Sequence, residues 1–129
     1  MTKPVFELAL ELEHGETSFE PGGRLVGVAA WSVSSPLKGI ELRLKWTSRG
    51  QGGRDIRIAD TIVLPQPLPI ERRPFILTLP MAPYSFQGAL VTVGWELELV
   101  ALPVEEKASV VITIAPGRRA LVLEAAQPK

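Results

Sequence analysis

The chain contains no cysteine. Disulfide frameworks, thiolate metal sites and cysteine nucleophiles are therefore excluded. Histidine occurs once, as His14, and aspartate only as Asp55 and Asp60. A Ser–His–Asp site would have to run through His14, which sits in a polar stretch before Gly15, and no glycine-flanked serine of the nucleophile-elbow kind accompanies it. Zinc needs several histidine or cysteine ligands, and calcium needs clustered loop carboxylates. Neither set is written into the chain, so no metal, cofactor or catalytic residue is expected. Net charge is also lacking: 14 basic residues balance 14 acidic ones. That removes the bulk electrostatic case for nucleic acid, which favours clustered basic surface. Long apolar runs are missing as well. No stretch approaches the ~20 apolar residues of a membrane helix. Glu7, Glu11 and Glu13 break every N-terminal window that could serve as the apolar centre of a signal peptide. The expectations are a cytoplasmic protein with no transmembrane segment and no nucleic-acid partner.

What the chain has in plenty is turns. Twelve prolines and eleven glycines are spread through 129 residues, which suits many short strands better than a few helices. The length fits one domain, residues 1–129, with a core over about 5–114. Apolar residues recur every two positions, not every three or four. Over 5–13, Phe6, Leu8, Leu10 and Leu12 alternate with Glu7, Ala9, Glu11 and Glu13. Over 24–34, Leu25, Gly27, Ala29, Trp31 and Val33 share one face, and Val26, Val28 and Ala30 are apolar too, so both faces are expected to be partly covered. Over 40–47, Ile40, Leu42, Leu44 and Trp46 alternate with Glu41, Arg43, Lys45 and Thr47. The link between these last two strands is short, which predicts a hairpin. Residues 48–54, SRGQGGR, read as a flexible loop. A less regular strand follows over 55–64, where Asp60 breaks the alternation and a bulge would switch the facing. Phe75, Leu77 and Leu79 mark another strand, and residues 91–99 give the cleanest alternation in the chain. Residues 108–114 close the set, 120–124 add an edge strand, and the last five residues are expected to fray. No helical window occurs. About seven or eight strands separated by turns predict an all-β antiparallel sandwich.

Three stretches carry a family likeness. Phe19-Glu20-Pro21-Gly22-Gly23-Arg24-Leu25-Val26-Gly27 resembles the entry into the second strand of the arrestin-like N-terminal domain. Residues 39–44, GIELRL, resemble the strand after it. Leu79-Pro80, followed by Pro83-Tyr84-Ser85-Phe86-Gln87-Gly88, resembles the family's Leu-Pro…Pro-x-Ser-Phe-x-Gly, with Trp95 where the family usually has tyrosine. The resemblance implies an immunoglobulin-like sandwich working in protein–protein interaction, as a scaffold or adaptor without catalysis. It also implies structural roles for Pro21, Gly22, Gly27, Pro80, Pro83, Ser85, Phe86, Gly88 and Trp95. Phosphate sensing is not implied, because the first strand offers only Lys3 before an acidic run. Family members usually have two such domains. A lone one leaves a normally covered surface open, which predicts a homodimer in addition to an unknown protein partner.

The remaining candidates for chemistry have plainer explanations. Glu96 and Glu98 could act as paired carboxylates in glycoside chemistry. They lie on the polar face of one strand, where Arg43 or Lys45 of a neighbour would balance them. SRGQGGR lacks the ending of a phosphate-binding loop and leads into no helix. The pairs Arg72-Arg73 and Arg118-Arg119 could touch an anionic ligand, or simply solvate turns. A carbohydrate- or other ligand-binding accessory domain is the alternative function, since aromatic platforms stack on sugars. Trp31, Trp46 and Trp95 all fall on the parity assigned to the core, which weighs against it.

Overall fold

The computed structural model describes residues 5–123. Lys3, Glu124 and the five residues expected to fray lie outside them. Ten strands are formed: β1 (Phe6–Leu12), β2 (Ser18–Phe19), β3 (Arg24–Val33), β4 (Gly39–Gly50), β5 (Gly53–Leu64), β6 (Ile70–Thr78), β7 (Phe86–Gly88), β8 (Val91–Leu102), β9 (Glu106–Ile114) and β10 (Leu121–Leu123). The only helical turns among the described residues are two three-residue 3-10 segments, Glu13–Gly15 and Pro116–Arg118. The expected count of seven or eight strands is short by β2 and β7. At two and three residues these are too brief to carry an alternation.

β1, β3 and β6 form one antiparallel sheet with β3 in the middle. β8 centres the second. One edge of β8 pairs along its whole length with β4, and β4 pairs in turn with β5. Its other edge is shared: β7 takes the start, at Thr92 and Val93, and β9 takes Trp95 to Ala101. Two short pairs, β2 with β9 and β7 with β10, are parallel; the remaining pairs are antiparallel.

The alternation read from sequence becomes two faces. Leu25, Ala29, Trp31 and Val33 of β3 meet Ile40, Leu42 and Leu44 of β4 and Trp95, Leu97 and Leu99 of β8 in one core. Leu25, Leu97 and Leu99 are wholly buried, each contributing roughly 1.5–3 kcal/mol relative to exposure. β1 lies over β9 across this core with half-buried Phe6, Leu8, Leu10 and Leu12. Trp46 packs against the same core but is only partly buried.

The predicted hairpin of β3 with β4 is not formed. Ser34 donates its N–H to Val5, just ahead of β1 in the first sheet, and Lys38 donates to Leu102 in the second, so 34–38 arch between the sheets. Outer-face chemistry explains the sorting. The outer side of β3 is Val26, Val28 and Ala30, which match Ile76 and Pro74 of β6. The outer side of β4 is Glu41, Arg43 and Lys45, which match the acidic outer side of β8. The flexible loop expected over 48–54 is also corrected. β4 and β5 pair out to Gly50 and Gly53, leaving Gln51 and Gly52 as the turn. The bulge expected near Asp60 is present: Leu44 faces Asp60 and Lys45 faces Ile58, so Ala59 is the extra residue.

Candidate interaction surfaces

The two proline–glycine stretches singled out in the sequence touch each other. Leu79 donates its N–H to Gly23, and Gly22 donates to Pro80, extending the β3–β6 ladder by one step. Gly22 has φ +73, and a Cβ there would sit 2.6 Å from the Met81 sulfur, so the turn takes glycine for backbone conformation and space together. Gly27 is set by close approach: a Cβ would lie 2.7 Å from the Glu11 carbonyl oxygen and 2.8 Å from Phe75 Cζ. Pro21 and Pro83 are half-buried beside them. At Gly88 a Cβ would collide with the half-buried Phe86 ring at 2.6 Å and the Val91 oxygen at 2.9 Å.

Ser85 and Trp95 tie the lead-in to the sandwich. Where β9 turns away from β8, the Ser85 N–H donates to the Ile114 carbonyl (2.7 Å), and the Ser85 hydroxyl accepts from the Ile114 N–H (2.9 Å). The Trp95 indole N–H donates to the Pro83 carbonyl at 2.8 Å. Both side chains are buried. Ser85→Ala leaves the Ile114 N–H without its acceptor in a site closed to water. We expect a loss of about 1–3 kcal/mol, read as a lower midpoint in urea titration; an unchanged midpoint would refute this account of Ser85.

The outer face of the β8 sheet is charged. Arg43 pairs with Glu41 at 2.9 Å and reaches Glu105 at 3.4 Å. Lys45 and Lys107 converge on one oxygen of Glu98, at 2.7 and 3.0 Å. That oxygen is sealed from solvent, with both ammonium groups close against it. Burial alone would raise the Glu98 pKa; the two lysines outweigh it and hold the carboxyl below its ordinary range. A carboxylate so neutralised is a poor general acid. Lys45 balances Glu98 diagonally, whereas Arg43, directly across from Glu98, is taken by Glu41 and Glu105. Lys107 had no signal in the sequence, because its strand partner could not be read. Next to this cluster, Gly94 leaves a shallow depression of about 240 Å³ rimmed by Thr47, Arg49, Thr92, Glu96 and Val111. Among the described residues no three His, Asp or Glu side chains gather into a metal-sized group.

The outer face of the β1–β3–β6 sheet is different. Val26 lies beside Ile76, Val28 beside Pro74, and Ala30 beside Ala9. Ile70 and Ile76 are 73% and 62% exposed. Glu11 and Arg72 cross this strip as an ion pair at 2.8 Å. Arg73 points to the opposite side. It pairs with Glu71, donates to the Pro65 carbonyl at 2.8 Å, and lies 5.7 Å from the centre of the Trp31 ring. The Arg72-Arg73 pair therefore does not act as one basic patch. At the other pair, the backbone N–H groups of Gly117 and Arg118 donate to the Glu20 carboxylate at 2.9 and 3.2 Å. Among the described residues the Arg118 and Arg119 side chains form no ion pair. His14 is exposed, with φ 57, and Glu13 approaches it at 3.6 Å.

No protein-family model matches the chain, and no curated protein matches it in sequence. A solved structure does match: that of Spo0M, a sporulation control protein from Bacillus subtilis. The TM-score is 0.64 at 17% identity, over 86% of this chain and 49% of that one. This chain thus spans about half the length of the Spo0M chain. The likeness is one of fold, and the fold is an arrestin-like β-sandwich. No helix among the described residues is long and apolar enough to cross a membrane.

Proposed function

We propose that the protein is a non-enzymatic protein–protein interaction module, a scaffold or adaptor of the arrestin-like kind, acting in the cytoplasm. On this reading residues 1–129 form one domain, and the domain self-associates as well as binding a different protein. The observation that carries it is the outer face of the β1–β3–β6 sheet. Exposed Ile70, Pro74 and Ile76 beside half-buried Val26, Val28 and Ala30, on a sheet already packed on its inner side, are the mark of a surface that meets another macromolecule. A chain path shared with a sporulation control protein fits regulatory work done by binding. The sugar-binding alternative has less support: Trp31 and Trp95 are 3% and 1% exposed, and Trp46 is partly buried against the core.

Ile70→Glu with Ile76→Glu tests the reading without touching the core. A partner captured from native extract by the wild-type chain, identified and purified, should bind the double variant at least tenfold more weakly. Circular dichroism and thermal midpoint should stay unchanged. Equal binding by the two proteins would remove this face from the function.

A further inference from the structure

β5 is the outermost strand of the larger sheet, and among the described residues nothing pairs with its free edge. Residues 53–61 are exposed throughout, with Ile56 at 45% and Ile58 at 57%. Which backbone groups face outward follows from the hairpin. Gly50 and Gly53 close a two-residue turn, so that pair exchanges its backbone hydrogen bonds, and bonded pairs recur at every second position. Asp55 and Arg57 therefore direct their N–H and C=O groups at β4. Arg54, Ile56 and Ile58 direct theirs away from the sheet, with the run ending at the Ala59 bulge.

Charged side chains on an edge normally discourage pairing. Here their order does the reverse for one particular partner. We infer that the free edge of β5 pairs antiparallel with β5 of a second copy of this chain, about a two-fold axis through Ile56. In that register Arg54, Ile56 and Ile58 form the hydrogen-bonded pairs with the partner's Ile58, Ile56 and Arg54. Asp55 and Arg57 fall in the closely spaced non-bonded pairs, each facing its opposite charge on the other chain. Shifting the axis to Asp55 sets two aspartates face to face. Shifting it to Arg54 or Arg57 does the same with two arginines, and shifting it to Ile58 runs the ladder onto the bulge. One register alone satisfies both the backbone and the charges. A contact of this kind is isologous and closes on itself as a dimer.

The inference rests on the self-association part of the function proposed above and names its surface. It is tested on the full chain by sedimentation velocity over the micromolar range. Asp55→Arg and Arg57→Asp each place like charges opposite one another at two sites, and each should weaken the dimer roughly tenfold. The two side chains are 58% and 65% exposed and pair with each other along the strand at 3.0 Å, a surface contact that contributes little, so the fold should tolerate both changes. The double variant D55R/R57D should regain the dimer. So should an equimolar mixture of the two single variants, because each then presents the charge the other lacks. Single variants that dimerise like wild type, or a mixture no more associated than its parts, would overturn the β5 register while leaving self-association standing. A wild-type chain that stays monomeric throughout would overturn both. Binding of a different protein through the β1–β3–β6 face would be untouched by that result.

Discussion

Replacing Trp95 by alanine is expected to cost about 3–5 kcal/mol of stability, the usual range for a large aromatic side chain deleted from a closed core. Trp95 is 1% exposed and packs between the two sheets near the point where β8 passes from β7 to β9. Two losses combine in the variant. The core gains a void lined by side chains already held in the sheet ladders, which leaves little room for collapse. The Pro83 carbonyl also loses the indole N–H it accepts at 2.8 Å. Trp95→Phe separates them: it keeps most of the volume and forfeits the hydrogen bond, so about 1–2 kcal/mol should be lost. Total stability of a domain this size is about 5–15 kcal/mol, so the alanine variant should be partly unfolded well below the wild-type transition. Urea titration followed by circular dichroism gives both numbers. An alanine variant within about 1 kcal/mol of wild type would mean that the lead-in from Leu79 to Gly88 is not held by this residue.

The alternation that placed Trp95 inside also placed most of the core, because period two leaves no choice of face once one face is buried. Strand pairing was another matter. β3 and β4 are joined by a short link, and proximity in the chain suggested a hairpin. The feature that decides between hairpin and arch is the outer face: aliphatic on β3, charged on β4. Those residues were visible in the sequence, but their meaning depends on which neighbours complete each sheet. The same limit applies to Glu98. Its position on the outer side of β8 could be read, and so could Lys45 as a partner. Lys107 could not, because it arrives on β9, whose place beside β8 is a long-range fact. The two basic pairs fail for the opposite reason. Adjacent residues of a strand point to opposite faces, so Arg72 and Arg73 cannot form one patch once β6 is extended. The strip of Val26, Val28 and Ala30 was legible as a second apolar face. That it ends half-buried, and not closed over, depends on the absence, among the described residues, of any element lying over it.

Lys45→Met should destabilise the protein by about 2–3 kcal/mol, somewhat less than the ~3–5 expected when a fully buried pair is broken, because Lys107 still approaches the same Glu98 oxygen at 3.0 Å. The methionine preserves the length and apolar stem of Lys45, so the loss isolates the charge. It should lower the melting temperature by about 10 °C. The pH dependence gives a second readout. The Glu98 carboxyl titrates below its ordinary range in the folded protein, since the two lysines outweigh the effect of burial. The unfolded chain therefore takes up a proton at this site at a higher pH than the folded one. The stabilisation is complete above the unfolded carboxyl value, about 4.3, and is lost as pH falls from there through the lower folded value. Removing Lys45 shifts the folded pKa of Glu98 upward, which narrows that window and flattens the acid limb of stability against pH. Glu98→Gln should flatten it further, because the titrating group is gone. Thermal melts between pH 3 and 7 would measure all three proteins. An acid limb equally steep in wild type and in Glu98→Gln would assign it to the exposed pairs, such as Glu11 with Arg72, rather than to the buried one. Added salt then discriminates: the exposed pairs weaken as screening rises, while Glu98, shut away from solvent between two ammonium groups, should respond far less.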